Sequence, residues 1–380
     1  MRYLLLLLLL SVLFSASAQS FVKQEGGDFE WRITGRAMFD GGVFFSDKTS
    51  LGNGLVFTDG RIGITTRFLK NWEGKIEYGY SGGKMGIRDV YIAYNRGNSR
   101  LQAGHFFEPF GIEGRMGSAD YRLMNAAPTA STFMERRKIG VAYSYDVKPF
   151  TLVAGFYSDA DIDNIKDDNE GYSIAGKFSI RPVYEEDRLM HVAASFRFSE
   201  HDQTERGEYI YKGGVPTSVL SSSKNQFVKA TITDMINQWK FGIDMIMIYK
   251  NTYLQAEYSA VNANRKASVE NYFADGFYAQ LGVLLLGNKK YNYNSRQAWV
   301  TNPAAKNLEL LVRYNRTDLN DKDSEIMGGK LQDITFGVNY FINKYVAVRL
   351  NYVHAAIDKY SAKGDKEEFD YIQGRLQFNF

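Results

Sequence analysis

The chain has no cysteine, and its 380 residues include only 6 prolines and 4 histidines. Without cysteine there is neither a disulfide framework nor the lipid-bearing residue of a lipoprotein. With little proline, nearly all of the backbone can donate to a sheet. Beyond Phe14 nothing approaches the roughly 18 consecutive apolar residues of a membrane-spanning helix, which excludes a helical inner-membrane protein. The histidines, His105, His191, His201 and His354, come without a G-x-S-x-G elbow or a metal-ligand cluster. Hydrolytic chemistry therefore lacks a nucleophile and base, and no metal or other cofactor is expected. By strand parity His105 is expected to face outward. The formal net charge is only +3, so no nucleic-acid partner is implied and any electrostatic function depends on where charges lie.

Aromatics and glycine are abundant instead, with 26 Tyr, 26 Phe and 35 Gly. The chain ends in an alternating segment. Ile372, Gly374, Leu376, Phe378 and Phe380 fall on one face, and Tyr371, Gln373, Arg375, Gln377 and Asn379 on the other. Such a strand, ending on an aromatic ring, suits the closing strand of a barrel whose outer face meets lipid. At the other end, Met1-Arg2-Tyr3, the apolar run Leu4 to Phe14 and Ala16-Ser17-Ala18 read as a secretory leader over residues 1–18. Residues 19–380 then form one barrel domain, with no linker or low-complexity tract.

Period-two alternation recurs along the chain. Trp31, Ile33, Gly35, Ala37 and Phe39 oppose Arg32, Thr34, Arg36, Met38 and Asp40; Val192, Ala194, Phe196 and Phe198 oppose His191, Ser195 and Arg197; Leu308, Leu310, Val312 and Tyr314 oppose Glu309, Arg313 and Asn315. Tight links are expected at Lys70-Asn71, Asn95 to Asn98, Asp146 to Pro149, Tyr249 to Thr252 and Ile342 to Tyr345. Looser ones fall at Pro182 to Asp187 and Gly287 to Lys306. Seven such turns and eight longer loops join sixteen antiparallel strands. The link Gly287 to Lys306 is long for a turn, and 14 or 18 strands are the alternatives there. Tyr78, Tyr80, Tyr143, Tyr145, Trp239, Tyr249 and Tyr352 sit at strand ends, as interfacial aromatic girdles require. A soluble β-sandwich has shorter strands than these.

Several segments carry a family resemblance. Asp59-Gly60-Arg61-Ile62-Gly63, Trp72 to Tyr78, Ile87-Arg88-Asp89-Val90-Tyr91 and Gly104-His105-Phe106-Phe107-Glu108-Pro109-Phe110 follow one another, then Phe133-Met134-Glu135-Arg136 and Lys138-Ile139-Gly140-Val141. Echoes continue through Leu311 to Asn320 to the terminal Phe380. In this order and spacing the chain resembles the phosphate-selective porin O and P family over nearly its whole mature length. The resemblance implies a 16-stranded, trimeric channel in the outer membrane of a Gram-negative bacterium. It also implies a third loop folded inward, passage of small anions such as phosphate, and no enzymatic activity. Phe380 becomes the signal read by the barrel assembly machinery, and the membrane lipid and lipopolysaccharide become neighbours.

Alternation places Arg32, Arg36, Arg61, Arg67, Lys75, Arg100, Lys138, Lys177, Arg197, Lys240, Arg313, Arg349 and Arg375 on the inner wall, in excess over Asp40, Asp59, Glu77, Asp89, Asp244, Glu257 and Glu309. Such a wall concentrates anions. The segment Glu108 to Arg137 supplies Arg115, Arg122, Arg136 and Arg137, with Lys138 just below it, as candidate anion contacts at a constriction. Met116, Tyr121, Leu123 and Met124 would pin it to the wall. An acidic stretch, Asp159 to Glu170, reads as a solvated loop without calcium-loop spacing. A general non-selective porin and a structural or adhesive barrel are the other readings open at this point.

Overall fold

The computed structural model describes residues 20–24, 27–45, 51–135, 137–159, 162, 170–200 and 208–380. Residues 1–18, where a leader is expected, Arg136, His201 and most of the acidic stretch lie outside the described residues. Sixteen long strands run in chain order. They are β1 (Glu30–Phe45), β2 (Gly54–Phe68), β3 (Trp72–Ser81), β4 (Lys84–Arg96), β5 (Ser99–Phe107), β6 (Arg137–Val147), β7 (Phe150–Ser158) and β8 (Tyr172–Tyr184). Then follow β9 (Arg188–Glu200), β10 (Met235–Tyr249), β11 (Thr252–Arg265), β12 (Tyr272–Leu284), β13 (Asn307–Asp321), β14 (Ile326–Phe341), β15 (Val346–Ile357) and β16 (Glu367–Asn379). Each pairs antiparallel with its neighbours, and β16 pairs with β1, so the sheet closes as a 16-stranded barrel with no free edge.

At the seam Asp40 stands opposite Arg375, and the backbones of Gly35 and Phe380 exchange two 2.9 Å hydrogen bonds. Outward positions are apolar and exposed, among them Ile62, Ile76, Val141, Ile243, Phe336, Leu350 and Leu376. In water such a surface would be unstable, and against acyl chains it is the required one. His105 keeps the expected outward parity, standing opposite Val90 and the exposed Ile139. It is buried, with Nδ1 2.6 Å from the Arg88 carbonyl.

All seven expected turns join strands where the alternation placed them. The long link is a single connection from β12 to β13. Its two-residue strands Tyr293–Asn294 and Trp299–Val300 pair as a small hairpin that turns into the barrel. There Tyr293 Oη lies 2.8 Å from His191 Nδ1, and the Ser295 carbonyl accepts from Thr151 at 3.3 Å.

A second hairpin, Tyr209–Gly213 with Val228–Ile232, lies in the connection between β9 and β10. It packs with Phe44, Leu319, Leu331, Val353, Phe369 and Tyr371 in an apolar cluster. At the loop end of β13–β16 the inner face is therefore a hydrophobic core.

Candidate functional site

The connection from β5 to β6 begins at Pro109, which cannot extend the strand, and turns at Gly111 (φ +64°). It contains one 3-10 turn, Glu113–Arg115, and a short helix α1, Pro128–Phe133, with proline in its first turn. Most of it is irregular, so its backbone groups need partners outside the segment. Barrel side chains supply them. Arg349 donates to the carbonyls of Ala119 (3.1 Å) and Tyr121, Arg313 to Asn125 (3.0 Å), Arg375 to Met124, and Asn339 to Arg122 (2.7 Å). In the other direction the backbone N–H of Ile112 donates to Glu257 (2.8 Å) and that of Thr129 to Asn315 (3.0 Å). Met116, Leu123 and Met124 are buried beneath it. Leu123 sits over Gly337, where a Cβ would come within 2.4 Å of its Cδ2.

Two carboxyls hold the segment's shape. Glu113 accepts from the Ala127 backbone (2.6 Å) and Gln280 (3.3 Å), 3.8 Å from Arg313. Burial pushes Glu113 above the usual carboxylate value against the pull of Arg313, and burial likewise pushes Asp120 up.

The basic residues fall into three groups. Arg313 and Arg375, expected on the pore wall, are buried; their guanidinium groups hold the segment's carbonyls, and Arg375 also holds Asp40 with two 2.7 Å bonds. Arg122 is buried too. Its guanidinium donates to Thr301 O (3.2 Å) and Asn302 Oδ1 of the inserted connection, and it stands 3.8 Å from Glu309. The structure thus makes Arg122 a tie between two inserted elements, not an open anion contact. Lys138 is buried, bonded to the Asp159 carbonyl and 4.0 Å from the Asp159 carboxylate, which Arg197 also holds at 3.2 Å.

The second group is a charge zigzag across β1–β6. Arg36 meets Asp59 (3.0 Å), Asp59 meets Arg61 (3.0 Å), and Arg61 meets Glu77 (3.1 Å). Glu77 then meets Lys75 (3.1 Å), Lys75 meets Asp89 (2.6 Å), and Asp89 meets Arg137. Each carboxylate is bracketed by two cations, and both ends are cationic. Arg32 and Arg67 carry the pattern toward the turn end, both over the Phe21 ring at 4.8 and 4.0 Å.

The third group lines a cavity of about 640 Å³ bounded by β2–β7, the β5–β6 segment and the inserted hairpin. Six cations face it, Arg67, Lys70, Lys75, Arg100, Arg115 and Arg296, against two carboxylates, Glu73 and Asp89. Glu73 pairs with Arg100 (2.9 Å) and Arg67 (3.7 Å), and Asp89 with Lys75. Among the described residues, Lys70, Arg115 and Arg296 have no carboxylate within ion-pair distance. Of the segment's arginines among the described residues, Arg115 is the one on this cavity. Sequence reasoning missed Lys70, which sits in a turn, and Arg296, whose only signal was the unusual length of its connection.

The profile of a family described as phosphate-selective porin O and P matches residues 32–380. Porin O of Pseudomonas aeruginosa is 23% identical over 417 aligned residues, covering 96% of this chain and 93% of that protein. Among solved structures, outer-membrane expressed OmpT of Vibrio cholerae is similar with a TM-score of 0.63 at 10% identity, over 95% of this chain and 100% of that one. An anion-selective porin from Comamonas acidovorans is similar with a TM-score of 0.59 at 11% identity, over 93% and 100% of the two chains. At these identities the structural likenesses speak to the fold.

Proposed function

The chain belongs to the phosphate-selective porin O and P family and so is an outer-membrane barrel channel, and we propose that it passes small anions in preference to cations, by passive diffusion. The observation that carries this is the cavity wall, where six cations meet two carboxylates. In a narrow passage with low-dielectric walls such a surplus concentrates anions and repels cations, because few counter-ions fit inside to screen it. The β5–β6 segment, bonded across the inner faces of β11–β16, acts as the constriction. It crowds the passage against β2–β7, where Arg115 reaches the solute from the segment and Arg67, Lys75 and Arg100 from the wall. Phosphate is among the anions served, since each guanidinium can donate two bonds to two oxygens.

The remaining parts of the reading follow the family. Residues 1–18 are a cleaved leader, and Phe380 is read by the barrel assembly machinery. The long-loop end faces lipopolysaccharide, and the tight turns face the periplasm. Three copies assemble, as in the trimer form reported for OmpT of Vibrio cholerae.

The test is the reversal potential of the reconstituted channel in a planar bilayer under a potassium chloride gradient, repeated with added phosphate. Anion preference with reduction of the chloride current by phosphate is expected. Arg115→Ala is expected to lower the preference, because it removes a cation that no carboxylate offsets. Cation preference in the unaltered protein would refute the reading.

A further inference from the structure

Arg100 projects from β5 and Arg296 from the tip of the inserted hairpin, 196 positions later in the chain. Both donate through Nη1 to the same oxygen, Asn95 Oδ1, at 3.0 and 3.1 Å. Two guanidinium groups are thus held side by side on a neutral amide. The carboxylate at hand, Glu73, bonds the far nitrogen of Arg100 at 2.9 Å and is shared with Arg67. Like charges so close repel unless something between them is negative, and both face the cavity.

The wall beside them is aromatic. Arg100 lies 5.4 Å from the centre of the Tyr91 ring, and Phe107 lies under Arg137 at 3.9 Å. Both rings are half-buried, so each keeps an open part. Behind them Phe106 packs edge-on between Tyr91 and Tyr157. The Tyr157 hydroxyl, buried at the cavity wall, has no hydrogen-bond partner among the described residues.

From this geometry, and resting on the channel reading above, we propose that Arg100 and Arg296 form an anion-binding site for organic acids that carry a doubly charged or planar acidic head on a flat apolar body, such as an aryl phosphate or aryl carboxylate. The paired guanidinium groups take the head, Arg115 faces the same space, and Tyr91 and Phe107 take the body. Inorganic phosphate uses the cations but gains nothing from the rings. A cavity of about 640 Å³ is also far larger than a single phosphate and falls in the range of small-molecule sites, roughly 300–1,000 Å³. Arg296 makes the hairpin a specificity element and not a passive floor.

The experiment compares block of the chloride current by phenyl phosphate and by inorganic phosphate, which share one head, in the full-length channel in planar bilayers. Phenyl phosphate is expected to block at a concentration about tenfold lower, the effect of one stacked ring. Arg296→Gln should weaken block by both anions about tenfold, the loss of a charge-assisted hydrogen bond. Phe107→Leu should weaken block by phenyl phosphate alone. Equal block by the two anions in the unaltered channel would overturn the organic-acid assignment while leaving anion preference standing. Unchanged block in Arg296→Gln would overturn the site. Should that variant insert poorly, Arg296→Lys keeps the charge and loses the planar fork; weakened block there supports the site and unchanged block overturns it. Cation preference with no block by either anion would instead refute the anion preference on which this rests.

Discussion

Arginine has two fates inside this barrel, and they follow from what its fork meets. Arg313, Arg349 and Arg375 meet the carbonyls of an irregular segment and become its scaffold. Arg67, Arg100 and Arg115 line the cavity. Lysine would serve the first role poorly, because one ammonium cannot reach several carbonyls in a plane. Arg375 shows the stakes. It is buried at the barrel seam and bonded to both oxygens of Asp40. Asp40→Ala would leave that guanidinium buried with only the Met124 carbonyl, a change expected to destabilise by about 3–5 kcal/mol. A lowered midpoint in thermal unfolding of the detergent-solubilised barrel is the expected outcome, and an unaltered midpoint would show that the seam does not depend on the pair.

The β5–β6 segment and the β12–β13 connection meet each other. Arg122 of the β5–β6 segment bonds Thr301 and Asn302 of the β12–β13 connection, and Asn302 also donates to the Ala119 carbonyl at 3.1 Å. Removing the hairpin, residues 292–301, would take away Arg296 and half of the Arg122 seat. Single-channel conductance is expected to rise about twofold or more, with weaker anion preference, since both an obstruction and a cation are lost.

The segment's far end is held differently. Glu135 is bonded by Lys240 and Tyr209 and faces Arg197. Burial alone would raise its carboxyl, but Arg197 and Lys240 outweigh burial and hold it well below the usual carboxylate range. Its stabilisation is therefore complete above the unfolded carboxylate value and is lost only as pH falls through the depressed folded value. Pepsin should leave the segment uncut at pH 4 and cut it at lower pH. Glu135→Gln should be cut at both, because Lys240 and Arg197 then lack that charge at any pH.

The molecule as a whole separates two surfaces by one residue of parity. Outside, Ile62, Ile243, Phe336 and Leu376 are exposed and apolar; inside, a cationic surplus faces the cavity. The zigzag from Arg36 to Arg137 contributes less to that surplus than its number of bases implies, because each carboxylate there holds two of them. What remains is a local field reaching about one Debye length, roughly 10 Å at 0.1 M salt and 3 Å at 1 M. The anion-to-cation permeability ratio should therefore fall as the salt on both sides is raised across that range. A ratio independent of salt would place selectivity in direct contact with the solute and not in the field.

The strands, their faces and the positions of all seven turns were legible in the chain. A barrel strand touches two different solvents, and that contrast is written at period two in every strand. Even the long connection announced itself by length. The fate of each inner arginine was not legible, because Arg100, Arg313 and Arg375 share the same parity and the same kind of strand. Whether such a side chain meets a carbonyl or the cavity depends on where a segment over a hundred residues away comes to rest. Arg296 and Asn95, 201 positions apart, meet at 3.1 Å only because the hairpin turns into the closed barrel. Period-two patterning is local and survives in any stretch of sequence, whereas the course of an irregular segment is set by the donors and notches that the finished wall presents to it.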